Sequence, residues 1–405
     1  MEQFKKPKIL VFCDFYLPGY KSGGGMRAMV NMVDRLNEKF DFYIVTRDHD
    51  GVSDKNQYTT VKINEWNMVG GAQVFYLSKD KVRISKIREL IFNVKADLIY
   101  TNSYFATLTI YVLQLRKLGL IPNINIIISP CGELSEGALR LKAGKKKLFI
   151  GFSKISQLYK NIIWKASTEL EKAEIEKIKG KGGEVFIAPD LPPKSIIEDY
   201  KQELKPRKIS GEANMVFLSR FMRKKNFKWL LEYLPSINGS LNIDIYGPLE
   251  DQEYWEECES LIKKLPSNIK VEAKGSIPYE EVIQTLFNYH FFILPTLGEN
   301  FGYVFIEALA VGCPLIISDR TPWLSLENDE IGWALPLENP EKWLKTLNYC
   351  INLDNVSYSK LSDNARKYAS NWLENSEIEE MTLSVLKYGL ESTLGNSAKH
   401  SKKMA

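Results

Sequence analysis

Two glutamates in the stretch GENFGYVFIEALAVGCPLI, residues 298–316, stand at a spacing that could do chemistry. Glu299 follows an apolar run typical of a strand, and Glu307 comes after seven intervening residues, in a segment with the pattern of a helix. Gly302 opens that helix, whose N-terminus would suit a phosphate. Carboxylates on either side of a phosphate can accept hydrogen bonds from sugar and ribose hydroxyl groups. The spacing therefore favours a sugar nucleotide as ligand.

Two cations follow the first predicted strand of the second half of the chain. In FLSRFMRKKNF, residues 217–227, Arg220 and Lys225 are five positions apart. Two such cations can clamp a diphosphate through charge-assisted hydrogen bonds. Arg223 and Lys224 lie between them, so a solvated basic loop is the alternative interpretation.

Three glycines, Gly23, Gly24 and Gly25, precede a helical pattern near the start of the chain. They would let backbone N–H groups approach a phosphate or an acceptor closely. Dinucleotide binding is a rival interpretation, because Gly23, Gly25 and Ala28 fit G-x-G-x-x-A. That motif should follow its strand at once, whereas about seven residues intervene here.

Metal and redox chemistry have few candidates. The chain has three histidines, and its five cysteines are far apart without a C-x-x-C pair, which argues against a zinc site or a disulfide scaffold. Asp48-His49-Asp50 has the D-x-D form of a metal site, but we interpret it as a turn. We expect no metal and no cofactor.

Length and charge set further limits. A chain of 405 residues exceeds one ordinary core, which favours two domains. A net charge of +4 does not indicate a nucleic-acid-binding protein. The sequence has neither an apolar run long enough to span a membrane nor the pattern of a signal peptide, so we expect a cytoplasmic location.

Strand-like and helix-like segments alternate along both halves of the chain. Short, continuously apolar runs such as 8–15 and 291–296 indicate parallel strands buried on both faces. Helical patterns such as 25–40 and 279–289 lie between them. The alternation predicts an α/β fold of two doubly wound, Rossmann-like domains, whose ligands bind at the carboxyl ends of the strands.

The block 298–316 resembles the E-x7-E signature of retaining GT-B glycosyltransferases of family 4, down to the Gly-x-Pro that ends it. Residues 217–227 resemble the R-x4-K diphosphate site of the same family. The resemblance covers roughly residues 8–390 and is strongest in the second half. It implies a GT-B fold, two domains facing across a cleft, and metal-independent transfer of a hexose from a UDP- or GDP-sugar to a glycan acceptor.

The resemblance also assigns roles to residues. Glu299 would contact the donor sugar, Glu307 the ribose, and Arg220 with Lys225 the diphosphate; Glu299, Arg220 and Lys225 are the catalytic candidates. The other donor-binding candidates lie in loops or at the start of the helix: Gly247, Ser276, Asn300, Phe301 and Gly302. An acceptor or phosphate loop is expected from Gly23, Gly24, Gly25 and Cys131.

Cys131 departs from the family pattern. It stands in SPCG, residues 129–132, where bacterial polysaccharide members typically carry a histidine or an arginine. We interpret it as a small buried residue and not as a nucleophile. The departure leaves open a non-catalytic sugar-nucleotide-binding partner in a polysaccharide synthesis complex. An epimerase of GT-B fold is a third hypothesis.

Residues 140–165 contain eight lysines or arginines and no acid. Apolar residues recur there at helical spacing: Leu148, Phe152, Ile155, Tyr159 and Ile162. A basic amphipathic helix can lie on an anionic bilayer, and an ordinary core-facing helix is the alternative. A lipid-linked acceptor at the inner face of the cell membrane, in the synthesis of capsule or lipopolysaccharide, would favour the first.

We place an acceptor-binding domain at residues 1–195 and a nucleotide-sugar-binding domain at 196–373. By resemblance, a helix at 374–390 packs back on the first domain. A polar tail at 391–405 is expected to be disordered. The proline-rich and charged segment 188–213 is the predicted linker.

Overall fold

The computed structural model describes residues 5–51, 54, 56–140, 143–179, 182–193 and 205–401. The chain divides into two compact units, one of Met1–Lys194 with Ser376–Ala405 and the other of Ser195–Asn375. Within the described ranges, no helix combines the length and the apolar character that crossing a membrane requires.

The first unit is built on one twisted sheet. Its strands are β1 (Lys8–Phe12), β2 (Asp41–Arg47), β3 (Trp66–Val69), β4 (Ala72–Leu77), β5 (Leu98–Asn102), β6 (Ile126–Ser129), β7 (Ile163–Ala166) and β8 (Val185–Ile187). They pair in the order β3-β4-β2-β1-β5-β6-β7-β8, and all the pairs are parallel except β3 with β4. The continuous apolar run of β1 arises because residues 9–12 are buried on both faces of the sheet.

Helices connect these strands and cover the sheet. They are α1 (Gly24–Leu36), α2 (Ile84–Val94), α3 (Thr107–Lys117), α4 (Glu136–Arg140), α5 (Ala143–Ile155) and α6 (Glu169–Ile178). One apolar face of each of α2, α3 and α6 joins a core that includes Leu90, Val112 and Ile175.

The second unit repeats the alternation on a sheet that is parallel throughout. Its strands are β9 (Glu212–Leu218), β10 (Ser240–Tyr246), β11 (Ile269–Gly275), β12 (Phe291–Leu294), β13 (Leu315–Ser318) and β14 (Gly332–Leu335), in the order β11-β10-β9-β12-β13-β14. Its helices are α7 (Phe227–Tyr233), α8 (Gln252–Ile262), α9 (Tyr279–Phe287), α10 (Tyr303–Ala310), α11 (Pro340–Asn352) and α12 (Asn355–Leu373). The prediction of two α/β domains with parallel sheets is confirmed.

A last helix, α13 (Ser376–Ser401), belongs to the first unit. Asn125 Nδ2 donates to the Gly389 carbonyl oxygen at 2.7 Å, and Lys39 pairs with Glu379 at 2.8 Å. The helix continues past residue 391 to Ser401, within the segment 391–405 where we predicted a disordered tail. Residues 402–405 of that tail lie outside the described residues.

The basic segment 140–165 is not one helix. Helix α4 ends at Arg140, α5 spans Ala143–Ile155, and β7 follows. Tyr159, Ile162 and Lys165 are buried, and Lys165 pairs with Asp190 at 2.7 Å. The predicted amphipathic stripe is therefore wrong in its second half, because these residues join the sheet of the first unit and its underlying core.

The predicted linker begins too early. Asn31 Nδ2 donates to the Leu191 carbonyl oxygen at 2.8 Å, and Arg35 Nε donates to that of Pro192 at 2.6 Å. These contacts attach residues 188–193 to α1 in the first unit. Residues 194–204 of the predicted linker lie outside the described residues.

His290 gives the second unit a pH-dependent stability. The ring is 4% exposed, and Nδ1 accepts a hydrogen bond from the Asn214 backbone N–H at 3.1 Å. Burial, reinforced by the charges of Lys208 and Lys205, lowers the pKa of His290 to about 4. As the pH falls, His290 is therefore protonated near pH 6.5 in the unfolded chain but only near pH 4 in the folded unit.

The histidine contribution to the free energy of unfolding should fall by about 2 kcal/mol between pH 7 and pH 5. We expect the stability difference between wild type and His290→Asn, measured by urea unfolding, to shrink by that amount over this interval. The comparison with the variant removes the contribution of other titrating groups. A difference that is the same at both pH values would contradict a neutral, buried His290.

Candidate functional site

The loop between β12 and α10 carries Glu299 and ends at Gly302. Gly302 has a φ of +81°, and a Cβ there would lie 2.5 Å from the ring of Phe305, so the position favours glycine. Helix α10 begins directly afterwards, at Tyr303. The loop therefore delivers Glu299 beside a helix N-terminus, which attracts anions.

Two hydrogen bonds hold the backbone of this loop. Glu299 N donates to the Arg320 carbonyl oxygen at 3.0 Å, and Trp323 Nε1 donates to that of Phe301 at 2.6 Å. Phe301 is 7% exposed, and its ring packs against those of Trp323 and Trp372 at 6.0 and 5.3 Å between centroids. The side chain of Phe301 therefore fills an aromatic cluster behind the loop, and its carbonyl oxygen is already bound by Trp323.

The structure brings Lys225 and Glu299 together as an ion pair. Lys225 ends the 3₁₀ turn Arg223–Lys225 that follows β9, and only 8% of it is exposed. Leu297 N donates to the Lys224 carbonyl oxygen at 2.8 Å, which ties this turn to the loop of Glu299. The pair forms because two neighbouring parallel strands, β9 and β12, end at the same edge of the sheet.

Arg220 adds a second cation to this cluster. Its Nη1 lies 3.4 Å from the Glu250 carboxylate, and its side chain is 37% exposed. Burial raises the pKa of Glu299, but the charges of Lys225, Lys224 and Arg220 outweigh burial and leave the pKa below its ordinary value. The cluster thus holds ionised groups of both signs, and an entering diphosphate would compete with the carboxylates for the cations.

Glu307 occupies the second turn of α10 and is 4% exposed. At 1.5 Å per residue it stands about 6 Å along the helix axis from Tyr303. Its neighbours in the helix, Ile306 and Ala308, are completely buried. A carboxylate at such depth requires polar partners. Along the chain, Glu299 precedes the start of α10 and Glu307 follows it.

The remaining donor-binding candidates lie in loops at the same carboxyl edge of the second sheet. Gly247 N donates to the Gly275 carbonyl oxygen at 2.9 Å, which joins the ends of β10 and β11. Ser276 follows at once and is exposed. Asn300 is half-buried in the loop of Glu299. The candidates thus share one edge of the sheet, where ligands of such folds bind.

Gly247 has a φ of +132°, and a Cβ there would lie 2.0 Å from the carbonyl oxygen of Ser219. We expect Gly247→Ala to lower the free energy of unfolding by about 3 kcal/mol or more, because strain and a backbone clash add. Gly275→Ala is the matched control, since its φ is +84° but nothing lies within 4 Å of the new Cβ. That variant should cost about 1–2 kcal/mol. Equal losses in urea unfolding would contradict the close approach at Gly247.

In the first unit, the glycine loop and Cys131 meet through Asn102. Gly23 has a φ of +75° and precedes α1, which begins at Gly24. Asn102 Nδ2 donates to the Gly25 carbonyl oxygen at 2.9 Å, and Cys131 Sγ donates to Asn102 Oδ1 at 2.6 Å. The two predicted loops therefore form one cluster at the carboxyl ends of β1, β5 and β6.

The Cys131 thiol stays protonated. Burial first, then the charges of Asp190 and Glu171, raise the pKa of Cys131 well above its ordinary value. Glu171 accepts hydrogen bonds from Gly132 N at 2.7 Å and Ser167 N at 2.8 Å, and so holds the loop that follows Cys131. The residue is half-buried, where we predicted a buried one. A protonated thiol is a poor nucleophile and a poor base.

The sequence analysis missed Asn102 and Glu171. Asn102 directly follows the strand-like run ADLIYT, so its place at a strand end was an available signal. Glu171 lies in the charged segment ELEKAEIEK, where nothing in the local pattern distinguishes it from exposed acids. Its partners become visible only when β6 and β7 are adjacent.

Asp48-His49-Asp50 supports the glycine loop. Asp50 is buried and accepts hydrogen bonds from Tyr20 N at 2.9 Å and Lys21 N at 3.1 Å. Asp48 accepts from the His49 ring. In the part of the chain that the structure describes, no group of three or more His, Cys, Asp or Glu side chains is arranged to hold a metal ion.

Residues 199–372 match the family described as glycosyl transferases group 1. No curated protein sequence matches the chain.

Solved structures resemble the whole chain. The fold is similar to that of sucrose-phosphate synthase from Thermosynechococcus elongatus, at 17% identity and a TM-score of 0.71, over 96% of this chain and 100% of that one. It is also similar to Anabaena HepE in complex with UDP-glucose, at 14% identity and 0.65, over 94% and 98%. WaaG, a glycosyltransferase involved in lipopolysaccharide biosynthesis, matches at 12% identity and 0.61, over 92% and 98%. The chain thus has the fold of GT-B glycosyltransferases, and residues 199–372 carry a glycosyl transferases group 1 domain.

Proposed function

We propose that this chain is a retaining, metal-independent glycosyltransferase of family 4 type that transfers a hexose from a UDP- or GDP-sugar to a glycan acceptor. The observation that carries the proposal is the ion pair of Lys225 with Glu299, beside Arg220 and at the start of the helix that holds Glu307. The cluster lies in the domain that matches group 1 glycosyl transferases. The complex of HepE with UDP-glucose supports a nucleotide sugar as donor.

Each member of the cluster has a proposed role that suits its chemistry. Arg220 and Lys225 hold the diphosphate, since their cations can make charge-assisted hydrogen bonds to its oxygens. Glu299, which is ionised, accepts hydrogen bonds from the donor sugar, and Glu307 accepts them from the ribose hydroxyls. The same cations stabilise the charge that develops on the leaving diphosphate, which is the contribution a metal ion makes in other enzymes.

The proposed transfer takes place on one face of the sugar. The oxygen of the acceptor hydroxyl bonds to the anomeric carbon on the side from which the diphosphate leaves. The bond between that carbon and the phosphate oxygen breaks, and its electron pair stays with the phosphate. The acceptor proton passes to a leaving phosphate oxygen, so the protonated thiol of Cys131 need not act as a base.

The proposed acceptor is a growing, lipid-linked glycan of a cell-surface polysaccharide such as capsule or lipopolysaccharide. We place the reaction in the cytoplasm, at the inner face of the cell membrane. The similarity of fold to WaaG, whose name places it in lipopolysaccharide biosynthesis, supports this choice.

A second candidate function is a non-catalytic partner that binds a nucleotide sugar within a synthesis complex. The observation that favours it is Cys131, whose raised pKa deprives the acceptor loop of a base. The second unit would then bind the donor as proposed without transferring the sugar.

One experiment separates these functions. The wild-type protein is incubated with UDP- and GDP-hexoses labelled with ¹³C at the anomeric carbon, with and without a lipid-linked oligosaccharide extract, and the anomeric carbon is followed by NMR. We expect a new glycoside of unchanged anomeric configuration, formed only with the extract. An inverted product would contradict retention, donor binding without turnover would favour the non-catalytic partner, and donor conversion without extract would indicate an epimerase.

A further inference from the structure

One side of helix α5 packs on the first unit. The Phe149 ring lies 5.9 Å from that of Tyr104 and 5.7 Å from that of Phe105, between centroids. The Ser153 hydroxyl lies 2.9 Å from the Tyr104 hydroxyl, and Ile150 packs against the same core. The inner side of α5 therefore makes the apolar contacts between this helix and the core.

Three large apolar side chains occupy the opposite side of α5. Leu148, Phe152 and Ile155 are 77%, 59% and 87% exposed. Their spacing of four and then three residues places them on one helical face. Single exposed apolar residues are ordinary on a protein surface, whereas a contiguous row of them on a polar-rimmed helix marks an interaction surface. We call Leu148, Phe152 and Ile155, with the flanking exposed lysines Lys145, Lys147 and Lys154, the α5 surface.

The stretch of sequence that carries this row has charges of one sign. No aspartate or glutamate occurs between Glu136 and Glu169. Among the described residues, Lys145 and Lys147 form no ion pair, and Lys154 Nζ donates only to the backbone oxygen of Lys177, at 3.1 Å. A second copy of the chain placed face to face on this surface would oppose lysines to lysines, so charge disfavours self-association.

We infer that the α5 surface docks the protein on an anionic lipid bilayer. An amphipathic helix of this kind lies in the membrane interface with its apolar row among the acyl chains and its lysines at the anionic headgroups. This inference deepens the proposed function, because it supplies the membrane contact that a lipid-linked acceptor requires. It rests on exposure and charge in the first unit, however, and bilayer binding can be measured without any sugar transfer.

The test is co-sedimentation of the full chain with vesicles of phosphatidylcholine alone or with 40% phosphatidylglycerol, without nucleotide, at low and high salt. The apolar variant is Leu148→Ser/Phe152→Ser/Ile155→Ser, and the charge variant replaces Lys145, Lys147 and Lys154 by glutamine. Met68→Ser/Leu118→Ser/Val356→Ser is the matched control, since these side chains are 68%, 65% and 78% exposed at other places.

We expect wild type to bind the anionic vesicles at least tenfold more tightly than the zwitterionic ones, and less tightly at high salt. Each triple variant of the α5 surface should lose at least tenfold, and the matched control less than twofold. If the apolar variant proves unstable, the charge variant alone is compared with wild type. The inference would be overturned if wild type bound both kinds of vesicle equally, or if the matched control lost as much affinity as the apolar variant. It would also be overturned if wild type formed a dimer that the apolar variant abolished. Sugar transfer to a detergent-dispersed acceptor should survive in both variants, so its absence in wild type would count against the proposed function alone.

Discussion

Replacing Lys225 by methionine should lower kcat/KM for the nucleotide sugar about hundredfold. A hydrogen bond to a charged group contributes about 1.5–3 kcal/mol, and a tenfold change in rate corresponds to about 1.36 kcal/mol. Methionine keeps the length of the side chain and removes the charge. The loss should lie near the upper end of that range, because the variant also leaves the partly buried Glu299 carboxylate without its counter-ion.

The coupling between Lys225 and Glu299 can be measured as well. Lys225→Met alone leaves an uncompensated carboxylate, which should lower the free energy of unfolding by about 3 kcal/mol. Glu299→Gln on the Lys225→Met background removes that carboxylate and should recover part of the stability. Removing the lysine should also raise the pKa of Glu299, since its charge is the largest factor that lowers this pKa. Additive effects of the two substitutions on urea unfolding would contradict a direct pair.

Lys228→Met is the matched control for Lys225. Lys228 lies three residues further on, and its Nζ contacts Glu257 at 2.6 Å, with 38% of the side chain exposed. An exposed pair of this kind contributes little, so kcat/KM should stay within about twofold of wild type. Wild-type turnover in Lys225→Met, or an equal loss in the Lys228 variant, would contradict the role assigned to Lys225.

The second large effect is expected at Glu307. Glu307→Ala removes the carboxylate proposed to hold the ribose, so it should weaken both the free nucleoside diphosphate and the nucleotide sugar, by about tenfold or more. Glu299→Ala should weaken the nucleotide sugar by a similar factor and spare the free nucleotide, because Glu299 is proposed to contact the sugar. Isothermal titration of both variants with both ligands measures the four changes.

The titrations also test whether the two glutamates contact different parts of the donor. If Glu299→Ala lowers the affinity for the free nucleotide as much as Glu307→Ala does, the two carboxylates do not contact different parts of the donor. If neither substitution changes either affinity, the block of residues 298–316 serves the fold and not a ligand. Glu307 is 4% exposed, so each titration is paired with a thermal melt that confirms the variant is folded.

The sequence analysis located the strands and helices that carry the second-unit site. Strand β12 lies within the predicted run 291–296, because that run is short and continuously apolar. Helix α10 begins directly after Gly302, as predicted. Four strands of the first unit, β3, β4, β7 and β8, were not predicted. Strand β3 is partly exposed and has a weak apolar signal, and β7 contains Lys165, which local patterns assign to the surface. Lys165 is buried only because Asp190, far along the chain, pairs with it.

Contacts between residues that are far apart in the sequence also escaped prediction at the candidate sites. Spacing identified Lys225 and Glu299 separately, but not that they pair with each other, since 74 positions separate them. Cys131 was interpreted from its type as a small buried residue. The pKa of Cys131 is raised first by desolvation and then by the charges of Asp190 and Glu171, which lie on later segments. Local sequence therefore indicates which residues reach a strand end, whereas their mutual contacts follow from the order of strands in the sheet.

The measurement that tests the central claim most directly is a thermal-shift panel of wild type, Lys225→Met and Lys228→Met with UDP, GDP, ADP and NAD. A ligand at 100 times its dissociation constant stabilises the folded state by about 2.7 kcal/mol, which is a readable shift in melting temperature. We predict a shift with UDP or GDP that persists in Lys228→Met and is reduced in Lys225→Met. A shift with NAD alone, or one that is identical in all three proteins, would contradict a nucleotide-sugar site at Lys225 and Glu299.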